Sequence, residues 1–98
     1  MLQHFTFIAG VKFRPGANVH LDSLEEGTDL TLVPEPTNKY DRHAIKVMSG
    51  DMFVGYVPKD LAEDVGKTIA AGKLVSVHKN VGHKIFINYE GEDTPDAA

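Results

Sequence analysis

Ninety-eight residues, 42% of them hydrophobic and 24% charged, describe one small globular domain with room for a single core. No cysteine is present, which excludes disulfides, thiolate catalysis and cysteine zinc sites. The formal charge is −4, but Glu90, Glu92, Asp93 and Asp96 account for four of the 14 acids, so residues 1–89 hold 10 acids against 10 bases and net charge neither favours nor excludes an anionic ligand.

In chain order, residues 2–9 set Phe5, Phe7 and Ala9 on one face and His4, Thr6 and Ile8 on the other, a period of two that predicts a strand. Residues 12–18 read as a loop around the turn signal Pro15-Gly16. Residues 19–27 are ambiguous, with one short helical turn at Asp22-Ser23 as one reading. Residues 29–33 alternate as a strand that Pro34 and Pro36 bring to an end. Residues 44–48 and 52–57 form a hairpin about Ser49-Gly50-Asp51.

Pro58 suits a first helical turn, Asp60, Glu63 and Asp64 favour its N-terminal end, and Leu61, Val65 and Ile69 make one apolar stripe. Gly66 weakens this helix by about 1 kcal/mol relative to alanine, and Gly72 caps its end. Residues 74–81 and 84–89 are two further strands about Gly82. The expected fold is mostly β with one or two helices, its six short strands curling into a small OB-like β-barrel over residues 1–89. Residues 90–98, acidic and without an apolar anchor, are expected to be a disordered tail. The apolar runs are far short of the roughly 20 residues of a spanning helix, and the N-terminal stretch lacks the length and basic leader of a signal peptide. No membrane association and a cytoplasmic location are therefore expected.

Chemistry has few candidates. The histidines at 4, 20, 43, 78 and 83 form no HxxxH or HxH pair, although His78 and His83 flank one turn; surface histidines are the simpler reading, and no metal or other cofactor is expected. Ser23, Ser49 and Ser76 lack an elbow motif, and no Gly-rich phosphate loop is present. Asp41 is the one acid in a functional-looking loop. An enzyme is therefore not expected. What remains is cationic and aromatic: Lys12, Phe13 and Arg14; Lys39, Tyr40, Arg42 and His43; Tyr56 and Lys59. Aromatic rings beside cations suit a single-stranded nucleic acid, whose bases stack and whose phosphates pair. The alternative is that Phe13 and Tyr40 cover a barrel mouth and the cations are solvated.

Glu35, Pro36, Asn38, Tyr40, Asp41, Ala44, Ile45 and Val47, spaced as E-P-x-N-x-Y-D-x-x-A-I-x-V, are followed by Gly55, Tyr56, Val57, Pro58 and Leu61 as G-Y-V-P-x-x-L. Together with Gly10–Gly16, GVKFRPG, these segments resemble the HIRAN domain family. Members occur alone in bacterial and phage proteins, the type this short chain resembles, or fused to helicase or nuclease modules. The resemblance implies an OB-like six-stranded barrel that binds single-stranded DNA and captures its free 3′ end.

Carried over by motif, the resemblance implies that Lys12 replaces a phosphate-binding arginine and Phe13 is the first aromatic. It further implies that Asn38 bonds the terminal base or sugar, Tyr40 stacks, Asp41 accepts from the 3′-hydroxyl and Lys59 contacts phosphate. Three positions depart from the family: Arg14 replaces a second aromatic, Lys12 gives up bidentate phosphate pairing, and Tyr56 stands where some members have histidine. Asn38 and Asp41 also have a purely structural reading, as side chains that bond their own loop, with Arg42 a possible partner for Asp41. The expected function is a non-catalytic module for single-stranded DNA ends. The alternative is a protein-interaction module that docks onto a helicase or nuclease partner.

Overall fold

The computed structural model describes residues 1–91. Six strands form two three-stranded antiparallel sheets: β1 (Leu2–Phe7), β6 (Lys84–Tyr89) and β5 (Leu74–Lys79) in one, with β6 central, and β2 (Thr31–Pro34), β3 (Ile45–Ser49) and β4 (Met52–Tyr56) in the other, with β3 central. Two helices complete it, α1 (Ala17–Ser23) and α2 (Lys59–Ala70), with a 3-10 turn at Val11–Phe13.

The sheets meet at two seams. Ala9 and Tyr56 exchange backbone hydrogen bonds of 2.8 and 2.9 Å, and an isolated bridge joins Asp29 to His78, flanked by Leu30 N–H donating to Val77 O at 2.9 Å. The expected single barrel is thus resolved as two sheets joined by single bridges. Between them lies one core that includes Ile8, Leu21, Ile45, Val47, Val54, Val65, Ile85 and Ile87. On β1 and β6 the period of two is plain: Ile85 and Ile87 point inward, while Phe5 and Phe7 point outward.

The β3–β4 hairpin forms where expected, with Gly50 at a positive φ of 58° in its turn and a register shift between Val47 and Met48. Gly55 is needed for a different reason. A Cβ there would lie 2.5 Å from Ile8 Cγ2 and 2.6 Å from the Ala9 carbonyl oxygen, so a side chain would push the first seam apart. Pro58 is the N-cap of α2, and Leu61, Val65 and Ile69 face the core as the stripe predicts, joined by buried Ala62.

One segment differs from expectation. Residues 12–18 are not a plain loop: the chain turns through the 3-10 segment, and Gly16, at a φ of 80°, opens a helix that runs to Ser23. Ala17 and Leu21, one turn apart, are fully buried, and His20 Nε2 lies 2.9 Å from Ser49 Oγ beside the β3–β4 turn. Tertiary packing makes this helix, since seven residues are too few to be helical alone. The acidic tail expected at 90–98 lies, from residue 92 onward, outside the described residues. No helix among the described residues is long and apolar enough to cross a membrane.

Candidate nucleic-acid interface

The loop joining β2 to β3 is built by its own side chains. Glu35 N–H donates to Ala44 O at 2.8 Å and closes its base. Asn38 Oδ1 accepts from Tyr40 N–H at 2.8 Å and Asp41 N–H at 3.0 Å, an Asx turn, while its Nδ2 donates to Glu35 Oε1 at 3.1 Å. Asp41 Oδ1 accepts from His43 N–H at 2.9 Å. These bonds fix the loop backbone and leave Tyr40 projecting, 85% exposed, with Lys39 Nζ 5.6 Å from its ring centre. Asn38 is therefore a structural residue whatever else it does. Asp41 is held by a backbone amide, with no ion pair to Arg42 among the described residues.

Glu35 ties the loop to the sheet beneath. Its Oε1 accepts from the Tyr56 hydroxyl at 3.0 Å, and its Oε2 lies 3.6 Å from Lys46 Nζ. The Asn38 amide, first among several donors, holds the Glu35 carboxyl below its ordinary value against the opposing pull of burial; the Tyr56 hydroxyl and Lys46 act in the same direction as Asn38. Burial raises the Tyr56 phenol, and its bond to the Glu35 carboxylate raises it further. The two shifts agree: a charged carboxylate accepts from a neutral phenol. Tyr56 in turn packs edge-on to Phe53 at 5.1 Å between ring centres. Phe53 carries two cations, Arg14 Cζ at 4.5 Å and Lys46 Nζ at 5.1 Å.

Around this frame opens a cavity of about 300 Å³, lined by Ala9, Ala44, Asn38, Tyr40, Asp41, Tyr56 and Lys59. Five of the eight residues expected from sequence therefore converge: Asn38, Tyr40 and Asp41 from the loop, Tyr56 from the end of β4, and Lys59 from the first turn of α2. Lys12, Phe13 and Arg14 do not line it. Phe13 is 70% exposed with Lys12 Nζ 5.3 Å from its ring centre, and Arg14 lies over Phe53. Among the described residues no group of three or more histidines, cysteines or carboxylates is placed to hold a metal ion. His78 and His83 each face a carboxylate, Asp29 at 3.1 Å and Asp22 at 3.3 Å.

Three further residues build the frame of the cavity. Glu35 stands out in the sequence only as part of the motif, Ala9 enters through the seam with Tyr56, and Phe53, opposite Met48 in the β3–β4 register, packs against Lys46 and Tyr56, which no local pattern reveals.

Fold and cavity define a small two-sheet β domain with a cavity between the β2–β3 loop, the end of β4 and the start of α2. The HIRAN domain family model matches residues 1–86, and the chain belongs to that family. It is 37% identical over 89 residues to the Fanconi-associated nuclease 1 homolog of Arabidopsis thaliana, covering 84% of this chain but only 9% of that protein's length. In fold it is similar to the crystal structure of the HIRAN domain of human HLTF, with a TM-score of 0.74 at 18% identity over 93% of this chain and 77% of that one. It is also similar to a protein from Lactobacillus plantarum, with a TM-score of 0.67 at 18% identity over 85% of each chain.

Proposed function

We propose that this HIRAN domain is a non-catalytic DNA-binding module that captures single-stranded DNA at free 3′-hydroxyl ends. The observation that carries the reading is the convergence of Tyr40, Asp41, Tyr56 and Lys59 on one cavity whose loop is fixed by its own bonds. Binding then orders little beyond the side chains. Tyr40 offers a ring to a base, and Lys59, at the start of α2, offers a cation to a phosphate. Asp41 Oδ1 is engaged with His43, and the other carboxylate oxygen is left to accept from a hydroxyl. A 3′-phosphate in the same place meets a like charge, so the site selects ends chemically. Lys12 and Phe13 form an outer contact, while Arg14 acts from its place over Phe53. In this reading the two sheets and their bridged seams are an OB-like barrel opened at the seams.

The test is a fluorescence-anisotropy titration at low salt with oligonucleotides that differ only in ending in 3′-hydroxyl or 3′-phosphate. The hydroxyl-ended strand is expected to bind more tightly. Tyr40→Ala is expected to weaken binding by the loss of about 1–3 kcal/mol per stacked base. Equal affinity for the two ends overturns end capture.

A second reading, docking onto a DNA-processing protein, is favoured by the match to one small part of a much larger nuclease. A helicase or nuclease retained on the domain in nuclease-treated lysate supports it; loss of every partner on that treatment counts against it.

A further inference from the structure

The outer face of β1 leads into the cavity. Successive side chains of a strand point to opposite faces, so Phe5, Phe7 and Ala9 share one side and Ile8 the other. Ile8 is buried in the core and Ala9 lines the cavity, whereas Phe5 and Phe7 are each 54% exposed. Register sets Phe86 opposite Phe5 and Lys84 opposite Phe7 on β6. The Phe5 and Phe86 rings lie 4.7 Å apart, and Lys84 Nζ is 6.0 Å from the Phe5 ring centre. Beyond them Gln3 Nε2 donates to Asn88 Oδ1 at 2.7 Å. Neither β1 nor β6 contains a carboxylate, so the formal charge on this part of the face is that of Lys84.

Two half-exposed phenylalanines side by side on a small domain call for an occupant. We propose that the face is a stacking track for the single-stranded DNA whose end occupies the cavity. The last two nucleotides lie at the cavity, against Tyr40 and Lys59, and the nucleotides before them pass over Phe7 and then Phe5, with Lys84 beside their phosphates. This rests on the end-capture reading and extends it along the strand. Residues two apart on a strand are about 6.6 Å apart. That matches the repeat of an extended, unstacked single strand, so consecutive bases meet consecutive rings. The contacts are with base faces, so the track takes any sequence. Phe86 holds Phe5 in place, and Lys84 supplies the charge complement.

The experiment compares 3′-hydroxyl oligothymidylates of about two and about eight nucleotides, within the range of single-strand site sizes. The wild-type chain is expected to bind the longer strand at least about tenfold more tightly, the equivalent of one stacked base. Phe5→Ala/Phe7→Ala is expected to abolish that advantage and leave the short strand's affinity unchanged, while the chain still unfolds in one cooperative transition, at a lower temperature because the Phe5–Phe86 contact is lost. Phe5→Tyr/Phe7→Tyr, which keeps both rings, is expected to retain it. A wild-type chain that binds both lengths equally, or a double alanine variant that keeps the preference, overturns the track and leaves end capture standing. Failure of the wild-type chain to bind either strand overturns both. A double variant that binds both strands as wild type does, but sediments as a monomer where wild type sediments as a dimer, assigns the face to a second copy of the chain and also overturns the track.

Discussion

Glu35 is the residue on which loop and sheet agree. Its carboxyl is held below the ordinary value, so its contribution to stability is present above the ordinary carboxyl range and is lost as pH falls through the folded value. Tyr56 has the opposite sign: its raised phenol contributes below the ordinary tyrosine value, and that contribution is lost as pH rises through the folded value. Thermal unfolding of Glu35→Gln, followed from neutral pH down to about pH 2, is expected to lack part of the wild-type acid limb. Tyr56→Phe, followed upward from neutral pH, is expected to lack part of the alkaline limb. Parallel wild-type and variant curves on the acid side would show that Glu35 is solvated in the folded chain. Asn38 is coupled to the same carboxylate. Asn38→Ala leaves the Tyr40 and Asp41 amides without their acceptor and removes the chief donor to Glu35, so it is expected to destabilise by about 1 kcal/mol and to raise the Glu35 carboxyl.

At the scale of elements, the seam between Ala9 and Tyr56 is what brings the end of β1 to the cavity. Gly55→Ala places a methyl group against the Ala9 carbonyl, which is backbone and cannot rotate away. Overpacking of this kind is expected to cost about 1–3 kcal/mol, seen as a lower melting temperature. It is also expected to weaken oligonucleotide binding, because both seam residues line the cavity. An unchanged melting temperature would mean that the seam yields freely.

Strands were legible because alternation survives in single sequences: β6 spans residues 84–89, the range its isoleucines predict. α1 was not, because only Ala17 and Leu21 are buried in it and Pro15-Gly16 reads as a turn. Of the cavity lining, Tyr40 and Lys59 stand out in the sequence by type and motif. The cation cluster at Phe53 does not, because it is assembled from Arg14 before α1, Lys46 on β3 and Phe53 on β4, and only tertiary packing joins them.

For the whole molecule the proposed function raises the question of how a chain of formal charge −4 would attract a polyanion. The cations near the cavity, Lys39 and Lys59, act at short range, whereas the net charge acts at long range and opposes approach. Glu92, Asp93 and Asp96 lie outside the described residues, and ending the chain at Gly91 takes the formal charge from −4 to −1 without touching any strand, helix or cavity residue. Screening then separates the two effects. The Debye length is about 30 Å at about 0.01 M salt and about 8 Å at about 0.15 M. The shortened chain is therefore expected to associate with a 3′-hydroxyl oligonucleotide severalfold faster at the lower salt and at the wild-type rate at the higher, with the same dissociation rate in both. Stopped-flow measurement gives both rates. A faster association that persists at about 0.15 M, or a changed dissociation rate, would mean that the acidic residues act within the site itself and not through the field of the whole chain.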